Sequence, residues 1–314
     1  MTKKLISIVT PCYNEEGNVV ELHRRMRAVM DGLPQYDYEH IFIDNASTDN
    51  TVTLLRGLAS QDPRIKLILN ARNFGQVRSP VHGLFQASGQ AAGFLFADLQ
   101  DPPELFVDML RLWEEGWSVV AAIKNSSDEP GWQYRLRSLF YKTIARLTNV
   151  EVMDHFTGFG LYDHSVVEIL RDKFKDPMPY FRGIIAEVGL PTTKVYYNQG
   201  RRYRGITKNN FYSLYDIAML GITNLSKVPL RLVTLVGFIT GLFSLVAGLF
   251  YLAYKIVFWN SFSVGIAPLV FGLFFLGAVQ LLAIGIIGEY IGSIHTFVQS
   301  RPLVVERERV NFEG

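Results

Sequence analysis

Two nearly uninterrupted apolar stretches, from Leu232 to Tyr254 and from Ile266 to Tyr290, constrain this chain more than any other feature. A helix rises 1.5 Å per residue, so about 20 apolar residues cross a ~30 Å hydrocarbon core and each stretch is long enough to span once. The connection KIVFWNSFSVG is short and carries only Lys255, which predicts a hairpin whose two ends lie on one side. Lys227 and Arg231 precede the first stretch, and Arg301, Arg307 and Arg309 follow the second. Glu306 and Glu308 alternate with the last two arginines but weigh little in orientation, so the positive charges predict cytoplasmic ends and a cytoplasmic large domain. The competing reading is a buried helical hairpin in a soluble protein. Gly237, Gly241, Gly248, Gly272, Gly277, Gly285 and Gly288 suit close packing in either setting and make homo-oligomerisation through the spans plausible.

The remaining chain is long enough for one α/β core, with 49% of all 314 residues hydrophobic and 19% charged. A net charge of +2 argues against nucleic acid as a partner. Cys12 is the sole cysteine, which excludes an internal disulfide and fits a reducing compartment. It reads as a small half-buried residue at a strand end. The apolar run in MTKKLISIVTPCYN is too short for a signal peptide, so insertion is expected to rely on the C-terminal hairpin.

LISIVTPCYN reads as a buried strand followed by the helical pattern EEGNVVELHRRMRAVMDGL. EHIFIDN and TVTLLRGLAS repeat that order, as do RIKLILN and the stretch after ARNFGQ. GFLFADLQD supplies a fourth strand before the proline-opened helix PPELFVDMLRLWEEG. Alternation of strand and helix predicts a parallel sheet with right-handed crossovers, and ligands of such sheets sit outside the carboxyl ends of the strands. Those ends carry Tyr13, Glu15, Asp44, Arg72 and Asp98. Two further segments, YRLRSLFYKTIARLTN and NNFYSLYDIAMLGITNL, are amphipathic and could lie in the membrane interface or pack on the sheet.

Asp44 ends a strand where a carboxylate could accept from a ribose or base. Ser47, Thr48 and Asp49 lead into the next helix, and Ser47 and Asp49 are expected to cap it. Asp98, Gln100 and Asp101 cluster after the fourth strand. Hard cations take oxygen ligands and keep nucleotide phosphates in their shell, so one or two carboxylates suffice; Asp98 is expected on the metal, while Asp101 could be a ligand or an N-cap.

VTPCYNEEGNV, IFIDNASTDNT, ARNFGQ and FLFADLQDPPE, in order at successive strand ends, resemble the nucleotide-sugar-binding half of inverting family-2 glycosyltransferases. With the C-terminal GEYIG and the two spans, the chain is similar to the polyprenyl-phosphate (dolichol or undecaprenyl-phosphate) type. The resemblance implies an α/β GT-A (Rossmann-like) domain that moves a sugar from a nucleoside-diphosphate sugar, UDP-hexose by preference, to a polyprenyl phosphate with Mg²⁺ or Mn²⁺ as cofactor. It implies that Pro11, Tyr13, Glu15 and Asp44, with Arg72, hold the nucleotide sugar, and that Asp98 and Gln100 hold the metal. RRYRGITK resembles the family's Arg-x-x-Gly-x-Ser/Thr-Lys element, which assigns Arg202, with Gly205 and Thr207, and Lys208 to an acceptor phosphate or leaving diphosphate. Arg135 and Arg137 are further acceptor-phosphate candidates.

Three departures accompany the match. Asn45 stands where the family has a second acid, Phe96 stands at the first place of Asp-x-Asp, and Phe159 stands after the glycine where an acid is usual. In MDHFTGFGLYD, Asp154 is then the expected acceptor-facing residue, with Asp163 after the turn and His155 beside it as a structural histidine. The expected organisation is a cytoplasmic catalytic domain over 1–208, a juxtamembrane helix over 209–228, two spans over 229–295 and a cytoplasmic tail over 296–314. Alternatives are a polysaccharide synthase, suggested by QGRRY, and a membrane scaffold with weak catalysis, suggested by the two phenylalanines.

Overall fold

The computed structural model describes residues 3–126, 153, 155–200, 211–258 and 266–312. Four strands of the expected kind open it: β1 (Lys4–Cys12), β2 (Tyr36–Asp44), β3 (Ile65–Asn70) and β4 (Ala91–Phe94). Helices α1 (Val19–Asp31), α2 (Thr51–Gln61) and α3 (Gly75–Phe85) connect them. β1 pairs in parallel with both β2 and β4, and β2 pairs in parallel with β3. The opening βαβ pattern therefore folds as its periodicity predicts. After a single 3₁₀ turn at Pro103–Leu105 comes α4 (Phe106–Glu114), and the sheet continues through β5 (Val119–Ser126), β6 (Phe156–Asp163) and β7 (Thr192–Asn198). Between β6 and β7 lie α5 (His164–Asp172) and α6 (Phe181–Val188).

Strand β6 inserts antiparallel between β4 and β5, and it needs glycine to do so. A Cβ on Gly160 would stand 2.6 Å from the Val120 carbonyl, and one on Gly93 in β4 would stand 2.7 Å from the Phe106 ring. Apolar side chains line both faces of the sheet, as central parallel strands require. Ile6, Ile8, Leu22, Met26, Phe42 and Phe106 pack on one face, and Val9, Ile41, Ile43, Leu84, Phe94 and Tyr162 on the other.

Three helices follow: α7 (Phe211–Leu225), α8 (Val228–Val257) and α9 (Ile266–Gln299). Helix α8 and the Phe271–Gln299 part of α9 each contain an 18-residue stretch with a mean hydropathy of 2.2 and no fully buried residue, so length and composition fit membrane spans. The GEYIG segment ties α9 to what precedes α8. Tyr290 Oη donates to the Ser226 carbonyl at 2.6 Å, and Tyr215 Oη in α7 donates to Glu289 at 3.1 Å.

The segment expected as a tail returns to the sheet. β8 (Glu306–Val310) pairs antiparallel with β3, completing the order β7-β5-β6-β4-β1-β2-β3-β8. Its charge alternation is that of an edge strand: Glu308 meets Arg56 at 2.5 Å and Glu306 meets His82 at 2.5 Å, while Arg307 and Arg309 are exposed. Charged side chains on such an edge block further strand addition.

Candidate active site

The loops after β1 and β2 are stitched into one surface. Asn14, held at φ 55° where Asn is tolerated better than most residues, receives the Thr48 N–H on its side-chain oxygen at 2.7 Å. Its own N–H donates to Ser47 Oγ at 2.8 Å, and the Glu15 N–H donates to Thr51 Oγ1 at 2.8 Å. Asp44 lies beneath this surface. Its carboxylate is fully buried, and it accepts from the Ser47 N–H at 2.9 Å and from Ser47 Oγ. Burial raises its pKa, and the Ser47 hydrogen bonds only partly oppose that rise. With no exposed surface, Asp44 holds Ser47, which in turn accepts from the Asn14 N–H and so ties the two loops together. Tyr13 and Glu15 on the loop, and Pro11 at the strand end, are each partly exposed.

The N-cap of α2 is Asn50, with no side-chain cap hydrogen bond; Asp49 Oδ1 accepts from the Thr51 N–H at 3.0 Å from the position before the cap, whereas Ser47 is engaged with Asp44 and Asn14 instead. The Cys12 thiol is buried, and burial followed by the charge of Asp44 pushes it well above the usual thiol range. It is an inert packing residue.

Asn45 explains its own departure from the family pattern. Its Nδ2 donates to Asn73 Oδ1 at 2.8 Å and to the Gly75 carbonyl at 3.2 Å, while its Oδ1 accepts from the Phe74 N–H at 2.8 Å and from Asn70 Nδ2 at 3.2 Å. Only an amide can donate and accept in this way. Asn45→Asp should lose both donations, set a carboxylate against two acceptors and cost about 1–3 kcal/mol, read as a lowered Tm. An unchanged Tm would contradict this account of position 45.

After β4 the chain runs to a second clasp. Leu99 is at φ 58°, and the Gln100 N–H donates to Asp98 Oδ1 at 3.2 Å. The Gly200 N–H donates to the Gln100 carbonyl at 3.1 Å, and Gln100 Nε2 donates to the Gly200 carbonyl at 3.3 Å. The loop after β4 is thereby fastened to the loop after β7. Asp98 is partly exposed, and among the described residues no group of three His, Cys, Asp or Glu side chains could hold a metal. The donors fit a hard cation only as a partial shell, one carboxylate and one amide oxygen, which phosphate oxygens would have to complete.

Asp101 does not cap the turn that follows, whose N-cap is Pro102. It is buried, and its Oδ1 accepts from Tyr197 Oη at 2.5 Å and from Gln199 Nε2 at 3.5 Å. Burial is the main reason its pKa is raised, against the opposing charge of Lys124 and the Tyr197 hydrogen bond. A carboxyl with a raised folded pKa contributes most stability below its unfolded pKa and loses it as pH climbs toward the folded value. Asp101→Asn should therefore match or exceed the parent Tm at pH 7, with the gain vanishing below about pH 4. A Tm lower than the parent at pH 7 but equal to it at pH 4 would reverse the sign and sink the argument.

Phe96 stacks on Phe94 with centroids 6.2 Å apart and planes 14° from parallel. Phe159 is fully buried, edge-on to Tyr197 at 5.5 Å and 6.2 Å from Phe106, so position 159 faces the core and not the strand-end site. Asp163 caps α5 by accepting from the Ser165 N–H at 3.0 Å and also accepts from Trp113 Nε1 at 2.9 Å. Arg72, at the end of β3, is exposed and lies over the Phe74 ring at 4.1 Å. His155 stands at φ 59° just before β6. Asp154, Arg135, Arg137, Arg202, Gly205, Thr207 and Lys208 lie outside the described residues.

Sequence reasoning missed Asn14, Thr51 and the clasp from Gly200. The clustered Asn, Ser and Thr in CYNEEGN and NASTDNT were the available signal for the first two, because such side chains hydrogen-bond neighbouring backbone in turns.

Residues 7–170 match the family model described as Glycosyl transferase family 2. The chain is similar to the uncharacterized glycosyltransferase YkcC of Bacillus subtilis, at 32% identity over 98% of this chain and 95% of the relative. It is similar to the SfII prophage-derived bactoprenol glucosyl transferase of Shigella flexneri, at 32% identity over 95% of this chain and 96% of the relative. A prophage bactoprenol glucosyl transferase homolog of Escherichia coli is 30% identical over 95% of this chain and 96% of its own length.

Proposed function

The chain belongs to glycosyl transferase family 2, and on that premise we propose that it transfers a hexose from UDP to a polyprenyl phosphate, undecaprenyl phosphate by preference, at the cytoplasmic face of a membrane. The observation that carries this reading is the similarity to a bactoprenol glucosyl transferase over 95% of this chain, apolar helices included.

In this mechanism an oxygen of the lipid phosphate attacks the anomeric carbon opposite the UDP. The new bond to the lipid phosphate forms as the bond to the diphosphate breaks, and the configuration inverts. The nucleophile is already an anion, so positioning and charge do most of the work and a strong base is unnecessary. Tyr13, Glu15, Pro11 and Arg72 border the nucleotide site, and Asp44 stabilises its floor through Ser47. Asp98 and Gln100 would hold Mg²⁺ or Mn²⁺, which supplies positive charge to the departing diphosphate. Asp154, Arg135, Arg202 and Lys208 are proposed on the acceptor side.

A groove of about 460 Å³ supports an approach from lipid. It runs between the α5–α6 connection, α7 and the end of α9, with Lys173, Lys175 and Asn224 among its polar lining and Ile294, Phe297 and Val298 among its apolar lining. Tyr180 also lines it, and the adjacent Phe181 packs 3.5 Å from where a Gly158 Cβ would lie, a point 3.9 Å from Phe96. Two apolar helices lie between β7 and β8 in sequence, and both strands belong to one sheet, which supports a hairpin with the sheet and both flanks on the same side.

Purified protein with radiolabelled UDP-glucose, Mg²⁺ and undecaprenyl phosphate should yield an acid-labile, solvent-extractable labelled lipid. Polymer, or no labelled lipid with any UDP-hexose, would overturn the proposal.

A further inference from the structure

Three arginines converge at the junction of the sheet edge and the last apolar helix. Arg72 and Arg78 both lie over the Phe74 ring, with guanidinium carbons 4.1 and 5.4 Å from its centroid. Arg78 Nη2 donates to the Pro302 carbonyl, which places the neighbouring Arg301 beside the pair. Arg72 Nη1 donates to the Asn73 carbonyl at 3.0 Å. Among the described residues none of the three forms an ion pair with a carboxylate. Arg78 Nε is buried and has no hydrogen-bond partner among them. Burial first, and then the charges of Arg72 and Arg301, hold the Arg78 pKa below the usual arginine range. Unneutralised cations with a buried orphan donor are the chemistry of an anion site, and the guanidinium fork matches phosphate oxygens.

Position decides which anion. Arg301 follows Gln299, the end of the second apolar helix, so the cluster stands where the chain leaves the span, at the level of lipid headgroups. In the order β4-β1-β2-β3, the strand before Arg72 is three steps from the strand before Asp98. At a spacing of about 4.8 Å those steps amount to roughly 14 Å, too far for a diphosphate held at Asp98.

We propose that Arg78 and Arg301, beside Phe74, form a binding site for the phosphate headgroup of an anionic membrane phospholipid, separate from the sugar-transfer site. Arg72 links this site to the donor loops, because the adjacent Asn73 accepts from Asn45 at 2.8 Å. The headgroup would replace the missing counter-charge and brace that side of the nucleotide pocket.

The test is binding to the full chain in neutral detergent, read by native mass spectrometry, with dioleoyl phosphatidylglycerol, dioleoyl phosphatidylcholine, inorganic phosphate and a short polyprenyl phosphate compared at equal concentration. Phosphatidylglycerol should bind in preference to phosphatidylcholine, and the Arg78→Gln/Arg301→Gln variant should bind it roughly 10- to 30-fold more weakly. Equal binding of the two phospholipids, undiminished binding by the double variant, equally strong binding of inorganic phosphate, or loss in the variant confined to the polyprenyl phosphate would each overturn the proposal. Arg301 is exposed, so Arg301→Gln alone carries the test if the double variant fails to fold. No transfer is measured, so the outcome is independent of the proposed glycosyl transfer.

Discussion

Asp98→Ala should reduce sugar transfer by about 100-fold or more while leaving the fold intact, since removing one charge-stabilising group from an active site typically costs that much. The side chain is partly exposed and makes one hydrogen bond, to the Gln100 N–H, so its loss should shift Tm by no more than a degree or two. The absence of an acid at position 96 sharpens the expectation. With Phe96 stacked on Phe94 and Asp101 buried against Tyr197, Asp98 is left as the partly exposed carboxylate of this loop, so Mg²⁺ or Mn²⁺ should bind appreciably only when a nucleoside diphosphate contributes its oxygens. Calorimetric titration of the parent protein should show metal binding with UDP present and little without it. The Asp98→Ala protein should show little in either case. Full transfer activity in that variant would remove Asp98 from the mechanism.

A chain ending at Val304 should lose on the order of 3–5 kcal/mol of stability and aggregate, because several backbone and side-chain hydrogen bonds go together at roughly 1 kcal/mol each. The truncation removes the pairing of Leu67, Ile68, Leu69 and Asn70 with β8, and with it the Ala71 N–H bond to the Val305 carbonyl at 2.9 Å. It also removes the Asn311 side chain, which donates to the Ala59 and Ile65 carbonyls at 2.8 Å each. Phe312 goes as well, leaving Lys66, now 5.3 Å from its ring centroid, without that cover. Against a typical domain stability of about 5–15 kcal/mol this is a large share, and β3 becomes an open apolar edge. Thermal unfolding and size-exclusion chromatography in detergent would read the effect. A monodisperse truncated protein with the parent Tm would show that β8 merely rests on the sheet.

Three strands read from hydrophobic runs, and the helices after them, were legible because β1 to β3 and α1 to α3 follow the two simple periods; the fourth was placed late, since GFLFADLQD begins inside β4 and the strand ends at Phe94. β6 was not legible. FTGFGLYD reads as a turn because of its glycines, yet Gly160 is there so that β5 can approach: its absent side chain would collide with a carbonyl. That requirement comes from a partner strand far along the chain, which local pattern does not encode. β8 was hidden for a related reason. Alternating Glu and Arg look like a solvated tail until Arg56 supplies an opposite charge and His82 a ring nitrogen within 2.5 Å of Glu306.

At the site, the positions of Tyr13, Glu15 and Asp98 at strand ends followed from the sequence, but the direction of the Asp44 carboxylate did not. Whether a strand-end acid turns outward or inward depends on the neighbouring loop, and here Ser47 draws it inward. Phe159 shows the converse. It stands where an acid is usual, but β6 turns that position to the core against Tyr197, so the exchange does not remove a charge from the strand-end site.

Since β8 follows both long apolar helices in the chain but completes the sheet begun by β1, synthesis and assembly are ordered. During translation β3 waits unpaired on its outer side until the hairpin has been made and the final strand emerges. Synthesis of both long apolar helices therefore precedes closure of the sheet, and a nascent chain stalled before Glu306 would present an unfinished sheet to chaperones and proteases.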